Sequence, residues 1–160
     1  LNDQFSSVFS VPDSLSPDPP HGEIPPPNIP SFGHIEVSRA GVLKLLKGVK
    51  EHKATGPDEI PGKLLNLCAE DLADSLTFLF QASLDQGTIP DDWKKAKIVP
   101  VFKKGDKGKA ENYRPISLTS IICKMLEHII DSNIRAHLDR HKILTDAQHG
   151  FRQKKVVKLN

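Results

Sequence analysis

The sequence is poor in several features that would have settled its class at once. It has two cysteines in 160 residues, Cys68 and Cys123. That is too few for the disulfide framework of a small secreted domain and in keeping with a reducing compartment. No apolar run approaches the roughly 18 residues of a membrane-spanning helix. No internal repeat is visible. Charge of one sign is not in excess either: 22 basic residues against 20 acidic ones leave a formal net charge of +2, so nothing global announces nucleic acid. The chain opens on Leu1, with neither Met nor a signal-peptide pattern, and reads as a stretch of a longer frame. What is present is 38% apolar and 26% charged. That composition excludes a wholly disordered chain and suffices for one globular core at this length.

Proline is unevenly placed. Eight of the 13 prolines fall between residues 12 and 30. Each removes an N–H and fixes φ, so this stretch cannot be helical. It reads as an extended linker of polyproline II character, either a plain spacer or a ligand for a proline-binding module. Before it, Phe5, Val8 and Phe9 stand at helical spacing, predicting a short lead-in helix. Residues 1–34 therefore form a lead-in helix and proline-rich linker.

The globular part begins near Ile35. Ser38 is placed to cap a helix running to residue 50, with Val42, Leu45, Leu46 and Val49 on one face. Residues 52–62, HKATGPDEIPG, must turn sharply. Helical spacing returns over 63–86, with a break expected near Ala69–Asp71. Its apolar positions are Leu64, Leu67, Cys68, Leu72, Leu76, Leu79, Phe80 and Leu84. Gly87 stands where such a helix would end in the left-handed conformation. The period then changes. AKIVPVF at 96–102 and YRPISL at 113–118 flank the polar loop KKGDKGKAEN, which predicts an antiparallel hairpin. Pro100 and Pro115 each deny a ladder hydrogen bond and should take outward or edge positions. A helix is expected from Thr119 to Arg140, with Ile122, Met125, Leu126, Ile129, Ile130, Ile134 and Leu138 as its stripe. The fold class is α+β: helices packed on a small antiparallel basic hairpin.

Local charge says more than the sum. Residues 94–109 hold seven lysines (Lys94, Lys95, Lys97, Lys103, Lys104, Lys107 and Lys109) against one acid, Asp106. Arg114 follows on the returning strand. Residues 1–52 hold four bases against six acids. A basic hairpin suits a triphosphate or a nucleic-acid backbone; the competing reading is a solvated turn whose lysines keep a sheet edge from aggregating. Trp93, Phe102, Tyr113 and Phe151 lie among these bases as stacking platforms would, although burial is the commoner fate of aromatic rings.

Other groups read as structural. Asp91 and Asp92 follow Pro90 in a loop and suit a polar turn before Trp93. His137 and His141, at i, i+4, could share a zinc ion, but no glutamate lies between them and no third ligand is evident, so a solvated helix end accounts for them. Cys68 and Cys123 fall among apolar positions as small buried hydrophobes.

Four segments carry a family resemblance: TGPDEIPGKLL at 55–65, GTIPDDWKKAKIVPVFKKGD at 87–106, NYRPISLTSIICKMLEHII at 112–130 and QHGFR at 148–152. In this order they resemble the reverse transcriptase of non-LTR retrotransposons of the jockey-like and CR1-like groups. The resemblance runs from about Ile35 to Arg152. It implies that residues 35–152 are the fingers and an incomplete palm of a right-hand polymerase, whose hairpin closes over the incoming nucleotide. Lys103 or its neighbour Lys104, and Arg114, match groups that approach the triphosphate. Lys107 and Lys109 are assigned to nucleic acid with them. Gln148, Gly150, Phe151 and Arg152 match a segment near template and nucleotide, and Thr55–Pro61 matches one that contacts template RNA.

The resemblance also implies what the parent needs. Its activity is RNA-directed DNA polymerisation, with an RNA template, a DNA primer, deoxynucleoside triphosphates and Mg²⁺ held by palm aspartates, inside the cell in nucleus or cytoplasm. Neither aspartate motif occurs in the present sequence, so no catalytic or metal-ligating residue is assigned and no cofactor is expected for this segment. After GFR the sequence departs from the family pattern, and 153–160, QKKVVKLN, is a divergent basic tail. The alternative is a non-catalytic relic or domesticated fragment that at most binds nucleic acid.

Overall fold

The computed structural model describes residues 30–144 together with Asp3 and Phe5. Phe5 is helical and buried. The rest of the lead-in, most of the proline-rich stretch, Gln148–Arg152 and the basic tail lie outside the described residues.

Helix α1 spans Arg39–Lys47. Ser38 caps it as expected, its hydroxyl accepting from the Gly41 N–H at 3.2 Å. It ends at Gly48, short of the expected residue 50. Two helices follow, α2 over Gly62–Leu67 and α3 over Ala69–Gln86, separated at Cys68. The expected break is there, one residue before the expected place. Gly87 closes α3 with φ +63°, the left-handed geometry that glycine takes without a Cβ penalty. A 3₁₀ turn at Asp91–Lys94 leads into β1, Lys97–Phe102. A second 3₁₀ turn, Ala110–Asn112, precedes β2, Tyr113–Leu118, and α4 spans Ile121–Arg140. The architecture is mixed α and β, with one two-stranded antiparallel sheet among the described residues.

The core lies between the helices. Val42 and Leu46 of α1, Leu65 of α2, Ala69, Ala73, Leu76 and Phe80 of α3, Trp93, and Ile121, Cys123, Met125 and Leu126 of α4 form it. The Trp93 ring meets Phe80 edge-on at 5.9 Å between centroids. One expectation is corrected here. Leu64 and Leu67 are 50% and 71% exposed, and the buried stripe instead runs Leu65, Ala69, Ala73, Leu76, Phe80. The small side chains of Ala69 and Ala73 lie in the buried face of α3, and Leu64 and Leu67 of α2 stay in solvent. Between α1 and α3, Arg39 donates to Asp74 at 2.8 Å and Lys47 to Glu70 at 2.6 Å. The Lys47 hydrogen bond holds the Glu70 carboxyl below its ordinary pKa.

The hairpin pairs Val101 with Arg114, Phe102 with Tyr113, and Pro100 with Pro115. The ladder continues past the strands, with the Lys103 N–H donating to the Asn112 carbonyl at 2.9 Å. Opposite residues alternate between bonded and non-bonded pairs. Counting back from Lys103–Asn112, the two prolines fall on a non-bonded pair, where neither N–H would have faced the partner strand. The expected outward placement of both prolines is met by setting them against each other.

Candidate nucleic-acid interface

The alternation of the strands sorts the hairpin into two faces. Val101 and Arg114 are directly opposite, and Lys103 is two residues beyond Val101. Lys103 and Arg114 therefore share a face as diagonal neighbours, at a spacing long side chains can bridge. Lys104 belongs to the turn. The other face carries Ile98, Pro100 and Phe102 against Tyr113, Pro115 and Ser117. Its Phe102 and Tyr113 rings meet edge-on at 5.6 Å, and the Lys107 ammonium stands 5.7 Å over the Phe102 ring, within cation–π range.

The loop is held by its own polar groups. Asp106 Oδ1 accepts from the Gly108 N–H at 2.8 Å. The Asp106 carbonyl accepts from the Lys109 N–H and from Asn112 Nδ2. The Tyr113 hydroxyl donates to the Lys107 carbonyl at 3.0 Å. Gly105 sits at φ +92°, a conformation side-chain-bearing residues rarely adopt. The single acid of the lysine-rich segment thus serves as a turn residue and neutralises none of the lysines beside it.

The seven lysines are not equivalent. Lys94 pairs with Asp91 at 2.8 Å and Lys95 with Asp92 at 2.9 Å. The hydrogen bond from Lys94 keeps the Asp91 carboxyl below its ordinary pKa, and the bond to Asp92 raises that of Lys95. The Asp91–Asp92 pair is thereby engaged in its own turn, as the sequence suggested. Lys97, Lys103, Lys104, Lys107, Lys109 and Arg114 are all exposed, and among the described residues none of them is in an ion pair. Exposed cations without acidic partners are available for phosphate.

The aromatic candidates divide. Trp93 is core. Phe102 is 37% exposed and Tyr113 half-buried, so their shared face could meet a base. Phe151 lies outside the described residues with Gln148, Gly150 and Arg152. His137 and His141 have rings 4.6 Å apart, and Phe32 lies edge-on to His137 at 5.2 Å. Among the described residues no three His, Cys, Asp or Glu side chains could hold a metal ion. No helix among the described residues is long and apolar enough to cross a membrane.

Sequence reasoning missed the support beneath the hairpin. Gly56 is buried with its backbone against Thr119 and Ser120, where β2 passes into α4. Ser120 is fully buried and caps α4, accepting from the N–H groups of Ile122 and Cys123. Lys124 Nζ reaches back to the Thr119 carbonyl at 3.1 Å. The glycine–proline loop therefore buttresses the root of the strand that carries Arg114. Its sequence signal was Gly56; Gly62 packs instead against the Lys50 carbonyl and Val49.

With this geometry in place, comparison with known proteins is informative. A protein of transposon BS from Drosophila melanogaster, named as an RNA-directed DNA polymerase, is 30% identical over 113 residues, 70% of this chain and 12% of that protein. The RNA-directed DNA polymerase from mobile element jockey of the same species is 30% identical over 112 residues, 69% of this chain and 12% of that protein. A 115 kDa protein of the type-1 retrotransposable element R1DM is 28% identical over 156 residues, 94% of this chain and 14% of that protein. The chain thus spans about an eighth of the length of the relatives it matches. No protein-family model matches the chain.

Proposed function

We propose, from the chain's homology to the RNA-directed DNA polymerases of non-LTR retrotransposons, that it is the fingers segment of a reverse transcriptase. In this reading the hairpin closes on the triphosphate of the incoming nucleotide, and its lysine-rich tip follows the template and primer backbone. Lys103 and Arg114 are the triphosphate pair. The observation that carries the assignment is the register: they are diagonal neighbours on one face, both exposed and outside any ion pair among the described residues. Lys104 takes a backbone phosphate with Lys107 and Lys109. Positive groups so placed offset charge that develops on the phosphoryl oxygens during transfer.

The segment's share of the work is binding and positioning. Metal-holding carboxylates are the parent's to supply outside the described residues, because the acids described here are engaged in turns and ion pairs or stand apart. The experiment that tests the assignment joins this segment to the remainder of a jockey-type polymerase. Lys103→Ala should raise the nucleotide KM several-fold with primer–template affinity kept. Lys104→Ala should weaken primer–template binding instead. Equal effects of the two on both constants would sink the assignment.

A further inference from the structure

The two-stranded sheet has no third strand among the described residues, so both of its outer edges are open. On an antiparallel ladder, residues of non-bonded pairs aim their N–H and C=O groups away from the partner strand. With Lys103 bonded to Asn112, those positions are Ile98, Pro100 and Phe102 on β1 and Tyr113, Pro115 and Ser117 on β2. The middle position of each edge is therefore a proline. It offers a carbonyl and no N–H, and its ring fills the space through which a donor would point. The edges differ in what remains. The Tyr113 N–H is already bonded to the Ala110 carbonyl. That leaves Ser117 as outward donor on β2, against Ile98 and Phe102 on β1. Ile98, Val101, Phe102 and Ile116 are all exposed, so the sheet also presents apolar surface that an added strand would cover.

We infer that Pro100 and Pro115 guard these edges, keeping the hairpin from adding a strand of a second copy of this chain. The excluded occupant follows from the composition of the edge. KIVPVF is β-branched and aromatic apart from Lys97 and its proline, and an open edge of that kind pairs with itself. Two β1 strands set antiparallel about Pro100 would place Ile98 opposite Phe102 of the copy, an apolar match. The same register sets the two prolines opposite each other. Both central hydrogen bonds are then missing, and the rings hold the strands apart. Lys97 would also face Lys103 of the copy, which adds like-charge repulsion. Salt screens that repulsion, whereas the missing donor is independent of salt. The device leaves the face that carries Lys103 and Arg114 open, and it stands whatever that face binds.

The test uses the full chain at high salt, with sedimentation velocity at rising protein concentration. Pro100→Thr restores the N–H without adding apolar surface. It should self-associate at a concentration roughly ten-fold or more below any at which the parent does, because each copy regains a backbone donor. Pro100→Val should do the same. Pro115→Thr should associate less, since its edge keeps fewer donors. In the associated Pro100→Thr species, hydrogen exchange at the Ile98 and Phe102 amides should slow, while the amides of the β1–β2 ladder keep the parent's rates. Pro100→Thr and Pro100→Val variants that stay as monomeric as the parent overturn the inference. So does association of Pro100→Val without that of Pro100→Thr, which would mark apolar contact alone. Association with exchange quickened along the whole ladder would mark unfolding and overturns it too, as does stronger association at Pro115 than at Pro100.

Discussion

Gly56 lies so close to Ser120 that a Cβ built on it would stand 2.6 Å from the Ser120 backbone nitrogen. The Thr119 carbonyl carbon would be equally near, and both neighbours are backbone, so neither can step aside as a flexible side chain would. Gly56→Ala should therefore part the loop from the start of α4. A cost of about 1–3 kcal/mol or more is expected, as for overpacking in a well-filled interior. Urea denaturation measures it. Gly33→Ala is the control, since a Cβ there meets nothing within 4 Å, and it should leave the midpoint unchanged.

Burial pushes the Cys123 thiol up to about 11, with the Glu127 carboxylate adding to the shift. Its folded-state pKa exceeds the unfolded value of 9.0, so above that value the folded state binds more protons than the unfolded one. The stabilisation is complete below 9.0 and is lost as pH rises from 9.0 towards about 11. Urea midpoints of the parent should fall across this window more than those of Cys123→Ala. At neutral pH, iodoacetamide should modify half-buried Cys68 and spare Cys123. Equal labelling of both, with the fold intact, would contradict the burial.

Arg114 should matter to nucleotide more than to fold, because it is exposed on the hairpin and opposite Val101. In a completed polymerase, Arg114→Ala should lower kcat/KM for nucleotide about ten- to a hundred-fold. That corresponds to roughly 1.5–3 kcal/mol for a charge-assisted hydrogen bond. Arg114→Lys should restore only part of it, since an ammonium lacks the planar fork of a guanidinium. Loss of thermal stability together with template binding, at normal nucleotide KM, would reassign Arg114 to holding the hairpin.

Asp91 and Asp92 make the opposite case. Each neutralises a lysine at the foot of β1. Asp91→Asn/Asp92→Asn should free both ammonium groups and strengthen binding to oligouridylate, with a steeper salt dependence. In a completed polymerase it should leave catalysis standing. Abolished extension would mean that these carboxylates hold metal after all.

The 160-residue chain spans about an eighth of the length of the polymerases it is similar to, and alone it is expected to show no primer extension on an RNA template with Mg²⁺. Template-dependent incorporation above a no-protein control would refute this.

The sequence by itself determined the features that depend on neighbours in the chain. Ser38 and Gly87 mark helix ends because a cap is a bond between residues a few positions apart. The hairpin was legible because a β-branched apolar run and an alternating one flank a glycine-bearing polar loop. The charge imbalance of that loop needed only counting. Tertiary structure decided the rest. The buried stripe of α3 runs through alanines, which no count of large apolar residues could reveal. Register separated Lys103 from Lys104, since a face is defined only once a partner strand is in place. The packing of Gly56 on Ser120, and the cleft that joins Lys50 and Lys53 to Lys124, unite positions 64 to 74 residues apart. Such meetings arise only when distant segments pack together, and local propensity carries no trace of them.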